Sequence, residues 1–105
     1  MSDESAEAAA AKYDPAEHAY LLAVRDGVSD RQLLGALAST VRDAASAWES
    51  AAWKEFFSAR DRGAVTGQDL IEMEILAEKG EVIAELWEDI VQAHAGRYQA
   101  PVNRG

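Results

Sequence analysis

Cysteine is missing from all 105 residues, so neither a disulfide framework nor thiolate chemistry is available. Proline occurs twice and glycine seven times. No alternating β-branched run is present, which leaves an all-helical chain as the expectation. No apolar stretch approaches the roughly 20 residues of a membrane helix, so no membrane contact is expected. Basic residues are scarce: ten Lys and Arg stand against nineteen Asp and Glu, for a net charge of −9. The deficit is local. Residues 1–28 carry −4, residues 29–63 are neutral, and residues 66–96 carry −7 with Lys79 as their one base. Direct binding to nucleic acid is disfavoured, because phosphate contacts need cations. A basic protein is the natural partner. The residues after Met1 show no basic start and apolar run of a secretory signal, and a cytoplasmic setting is expected.

What is present is alanine, acid and helical spacing. Hydrophobic residues make up 49% of the chain, but alanine supplies much of that, so the large-side-chain core is thin. The length suits one domain. Residues 1–13 read as a flexible, Ala-rich acidic lead-in with some helical content. Asp14-Pro15-Ala16-Glu17 is a helix start, with Asp14 as cap, Pro15 in the first helical position and Glu17 completing a capping box. A single helical domain over 14–96 then holds helices at about 15–26, 30–62 and 67–95. The first ends at Gly27 and buries Tyr20, Leu21 and Val24. The second opens on a capping box beginning at Ser29-Asp30 and carries a stripe that includes Leu34, Leu37, Val41, Trp48 and Phe56. It closes at Gly63. Residues 97–105, including Pro101, show no periodicity and read as a flexible tail. Two long helices of similar length joined by a short turn make an antiparallel hairpin.

The last helix is organised on three lines. Leu70, Met73, Ala77, Gly80, Ala84, Trp87 and Val91 form one regular seam, expected to mediate self-association. Ile71, Ile75, Val82, Leu86 and Ile90 form a second beside it. Together with Leu76 and Ile83 they span roughly 240° of the helix, well beyond the ~100° stripe that one partner covers. A homodimer resembling a four-helix bundle would cover the remainder. The third line is acidic: Glu74, Glu78, Glu81, Glu85 and Glu88, spaced 4, 3, 4, 3, with Asp89 alongside. A solvated face is the simplest account of such a ridge. Like charges at i,i+4 nevertheless repel by a few tenths of a kcal/mol per pair, which makes the ridge a candidate surface for a basic partner. On the second helix, Trp53 and Phe57 lie off the main stripe and are candidate partner-binding anchors. Glu55, Glu72 and Lys79 fall within apolar stripes. They either mark stripe edges or, as a Glu55–Lys79 pair, set the register of the hairpin.

No catalytic residue, metal ligand set or cofactor motif is found. Gly-rich phosphate loops, Ser/His/Asp constellations and Cys/His spacings are all missing. No Glu-x-x-His occurs, and His18 and His94 are expected near opposite ends of the fold. All-helical nucleotide pyrophosphohydrolases hold Mg²⁺ between paired acidic motifs on two helices. Here Glu85-Leu86-Trp87-Glu88-Asp89 offers one such motif, and Asp43, Glu49 and Glu55 are scattered. In acidity, length and hairpin form the chain resembles the small secreted Trp-x-Gly hairpin family, whose members dimerise. Its turn, Arg62-Gly63-Ala64-Val65-Thr66-Gly67, lacks the tryptophan, and no tyrosine-acid export signal surrounds Tyr98, so the likeness is architectural.

The expectation is a non-enzymatic interaction module: a small acidic regulator, inhibitor or assembly factor. Its sharper form mimics nucleic acid, as small phage-encoded acidic inhibitors do. A Mg-dependent hydrolase of the pyrophosphohydrolase type and a structural subunit of a larger particle are the alternatives.

Overall fold

A computed structural model describes residues 5–63 and 65–96. These form three helices and no strand: α1 (Ala6–Arg25), α2 (Arg31–Arg62) and α3 (Gly67–His94). Asp30 caps α2, its carboxylate accepting from the Gln32 and Leu33 amides at 2.9 and 3.3 Å. Gly63, with φ +60°, turns the chain out of α2. The Thr66 hydroxyl then caps α3 by accepting from the Asp69 amide at 3.1 Å. At ~1.5 Å per residue the 32 residues of α2 and 28 of α3 give rods of roughly 48 and 42 Å. They run antiparallel, with Arg31 against Ala93 at one end and Glu49 against Gly80 midway.

The first helix departs from the sequence expectation. It begins at Ala6, not at Pro15, and runs through the proline. Most of the expected lead-in is therefore helix, and only its residues 1–4 fall outside the described residues. The flexible tail expected at 97–105 lies outside them as well. Three contacts move the start. Ser5 accepts from the Ala8 amide at 3.1 Å. The Glu55 carboxylate, from the middle of α2, accepts the Ala6 N–H. Ala9 and Tyr13 are buried. Pro15 removes one i→i−4 bond, to the Ala11 carbonyl, but both residues are exposed, so water can serve that carbonyl. At the other end Gly27 adopts φ +81°. Its amide bonds to the Val24 carbonyl and that of Val28 to the Ala23 carbonyl, at 3.1 and 3.0 Å. This is the paired closure of a Schellman turn.

The core explains how so many alanines suffice. Ala38, Ala45 and Ala77 are fully buried, and Val41 is the largest side chain with no exposure. Small residues let the helix axes approach, and aromatics from three helices then fill one side of the groove. Tyr13, Tyr20, Trp48 and Trp87 gather there with Ile83, Ile90 and Val91. α1 lies along α2 and reaches α3 through these side chains rather than through close backbone approach.

At Gly80 the α3 backbone lies close against that of α2. A Cβ there would meet the Glu49 Cα at 3.2 Å and the Glu49 N at 3.4 Å, both backbone atoms of α2.

Candidate functional site

The first seam of α3 faces inward. Ala77, Gly80, Ala84, Trp87 and Val91 are buried within the chain itself, and Leu70 and Met73 are half-buried. The seam expected to mediate self-association is therefore covered by α2 and α1. Seven positions at helical spacing form the hairpin interface because that interface lies close by in the chain. The second seam takes the outer position: Ile71, Ile75, Val82 and Leu86 are exposed and Ile90 is half-buried.

The acidic ridge runs along the α2–α3 boundary on the side away from α1. Glu74, Glu78, Glu85 and Asp89 are exposed, while Glu81 and Glu88 are half-buried. Glu88 meets Arg42 of α2 at 3.3 Å, and Arg42 also holds Asp43 at 3.1 Å. Gln92, one turn on, donates to Glu88 at 3.2 Å. Glu49 of α2 faces Glu81 and Glu85. Burial, and then repulsion from these two carboxylates, raises the Glu49 pKa above its ordinary value. Carboxylates from two helices thus converge, but among the described residues no group of three or more His, Cys, Asp or Glu is placed to hold a metal ion.

Trp53 lies one turn beyond Glu49, which puts it on the ridge side of the hairpin. It stacks on Phe57 with centroids 5.7 Å apart and meets the buried Phe56 edge-on. The Arg60 guanidinium sits 4.9 Å above the Phe57 ring. Trp53 is half-buried and Phe57 exposed, so an aromatic and cationic cluster stands beside the acids.

Glu55 does not pair with Lys79. It caps α1, on the opposite side of α2 from the ridge, and Lys79 is exposed on α3. An apolar cleft of about 330 Å³ lies next to this cap, lined by Ala6, Ala10, Trp48, Ala52, Met73 and Leu76. The two histidines are not at opposite ends. Tyr20, two residues after His18, contacts the His94 Nε2 at 2.6 Å, and its ring meets the His94 ring edge-on.

The polar contacts inside the aromatic layer went unread in the sequence. The Trp87 indole N–H donates to the Tyr13 hydroxyl at 3.0 Å, and that hydroxyl donates to Glu17 at 2.7 Å. Burial, together with the Glu17 carboxylate, pushes the Tyr13 phenol up to about 12. Burial also raises the Tyr20 phenol. A usable signal was there: Ala9, Tyr13, Ala16 and Tyr20 are spaced 4, 3, 4, the stripe of a docked helix. For Arg42 and Glu49 there was none, since charged residues on a neutral helix do not reveal their neighbours.

No protein-family model matches the chain, and no curated protein or solved structure is significantly similar to it.

Proposed function

We propose that this chain is a non-enzymatic protein–protein interaction module, a small acidic regulator, inhibitor or assembly factor that presents α3 to a basic partner and acts as a homodimer. The observation that supports this is the composition of the outward surface of α3. Four exposed carboxylates, Glu74, Glu78, Glu85 and Asp89, run beside an exposed aliphatic strip, and the one cation on that helix short of its last turn is Lys79. Exposed apolar surface rimmed by charge is characteristic of binding faces. The ridge places a charge about every 5 Å along the helix, against ~3.4 Å along one DNA strand, so a cationic groove built for a phosphate track could accept it. Trp53 and Phe57 on the same side supply the aromatic anchors that such contacts favour.

The test is joint substitution Glu78→Gln, Glu81→Gln and Glu85→Gln. The fold should remain or gain slightly in stability, because repulsion along the ridge and onto Glu49 is relieved. Capture of basic proteins from lysate should fall sharply, and high salt should weaken capture by the native chain in the same way. Capture unchanged by the triple substitution would make the ridge a solvated face only.

A further inference from the structure

The groove between α1 and the hairpin is filled by rings along only part of its length. The stripe of α1 that faces it runs Ala6, Ala10, Tyr13 and Tyr20. Tyr13 meets Trp48 edge-on with centroids 5.9 Å apart, and Tyr20 meets Trp87 in the same way at 5.0 Å. At Ala6 and Ala10 the stripe carries only methyl groups, and there the cleft of about 330 Å³ opens against Trp48, Ala52 and Met73. We propose that this cleft is a binding site for a small aromatic amine, whose ring extends the aromatic layer and whose ammonium group meets the carboxylates of Glu55 and Glu7.

Size and lining fit a ligand of this kind. Small-molecule sites run to roughly 300–1,000 Å³ and are mostly apolar, with a few polar groups that set orientation. The half-buried Trp48 favours an aromatic body, because ring pairs gain beyond their buried area. Charge sets the head group. Among the described residues the charged groups lining the cleft are Glu7 and Glu55, both carboxylates. Glu55 accepts the Ala6 N–H, and a carboxylate has lone pairs enough to accept an ammonium as well. Two first-turn amides of α1, which would otherwise attract an anion, are already served, Ala6 by Glu55 and Ala8 by Ser5. The net charge of −9 draws cations to the chain and repels an acid of the same shape. Glu55 lies across α2 from the acidic ridge, so this site stands apart from the surface read as facing a basic partner.

The test uses naphthylmethylammonium as probe, with naphthylmethanol and naphthylacetate as its neutral and anionic counterparts, each titrated into the isotope-labelled chain and followed by NMR. The ammonium should give saturable shifts at the Ala6, Ala10 and Ala52 amides and the Met73 methyl. It should bind about threefold to fivefold more tightly than the alcohol, the modest gain of a partly exposed ion pair, and the acetate should bind most weakly. Joint substitution Glu7→Gln and Glu55→Gln keeps an acceptor for the Ala6 N–H. It should lower the affinity for the ammonium to that for the alcohol and leave the alcohol unchanged. Ala10→Leu puts a larger side chain into the space and should abolish binding of both while circular dichroism reports an intact fold. The glutamine pair keeps the charge test valid whether or not Ala10→Leu folds. The proposal is overturned by the absence of saturable shifts at the cleft, or by shifts that follow Glu78, Glu81 and Glu85 instead. An ammonium no tighter than the alcohol, or binding that survives Ala10→Leu in a folded chain, overturns it equally. Capture of basic proteins is read separately and bears on neither outcome.

Discussion

The Trp87 indole and the Tyr13 phenol, 74 positions apart, share a buried hydrogen bond of 3.0 Å. It ties α1 to α3 across the aromatic layer, and it leaves no buried polar side-chain atom without a partner among the described residues. Tyr13→Phe keeps the ring and removes the acceptor. The orphaned indole N–H should cost about 1–3 kcal/mol, and the melting temperature should fall by ~4–8 °C per kcal/mol in a domain of this size. Thermal unfolding followed by circular dichroism checks it. The same group sets an alkaline limit. The Tyr13 phenol is raised from 10.0 to about 12 in the fold. Its contribution is therefore complete below pH 10, and it is lost as pH rises through about 12.

Two glycines inside helices should respond oppositely to the same change. Gly35 faces the His94 Cβ at 3.5 Å, an ordinary contact. Gly35→Ala should therefore stabilise by about 0.5–1 kcal/mol through helix propensity alone. At Gly80 the nearest atoms are backbone atoms of α2, which cannot move without shifting the helix. Gly80→Ala should lose more in packing than it gains in propensity. Denaturant unfolding of the two variants should give midpoints on either side of the native value.

Burial and two facing carboxylates raise the Glu49 pKa above its ordinary 4.5, so the ionised form carries a penalty in the fold. For a carboxyl raised in the fold, the penalty is present above the folded pKa and disappears as pH falls to the unfolded value. Glu49→Gln should raise the melting temperature by on the order of a few degrees at pH 7. The advantage should vanish near pH 4.5, and melting curves across pH 4–8 would show it.

Glu49, Glu81 and Glu85 also give the hydrolase alternative its one point of contact with the fold, acids from two facing helices. Under the interaction-module reading, millimolar Mg²⁺ or Mn²⁺ should leave the melting temperature unchanged. A rise of several degrees, abolished by Glu49→Gln, would favour a metal-dependent enzyme instead.

The hairpin was legible because its signals are local. Asp30, Gly63 and Thr66 sit within a few residues of the ends they define, and the α3 seams repeat over about six turns. Which seam faces inward was not legible. Both are apolar, and the choice depends on Gly80, whose missing side chain admits the α2 backbone. The start of α1 was misplaced because Asp14-Pro15-Ala16-Glu17 is a complete local signal. The competing signal is tertiary: burial of Ala9 and Tyr13 outweighs the bond that Pro15 forgoes. Among site residues, the exposure of Glu74, Glu78 and Phe57 followed from spacing. The Arg42–Glu88 pair and the Tyr20–His94 contact depend on inter-helix register, and no pattern within one helix encodes that.

Glu55 reaches from α2 to the first amide of α1, 49 positions away. The segment around Tyr13 thus holds two helix starts. One is written in its own sequence at Asp14 and Pro15; the other, at Ala6, exists only when the hairpin supplies the carboxylate and the aromatic bed. Docking therefore lengthens the helix backwards by nine residues, from Pro15 to Ala6. The hairpin acts as a template, and the helical content of residues 6–14 becomes a readout of whether the rest of the molecule has assembled.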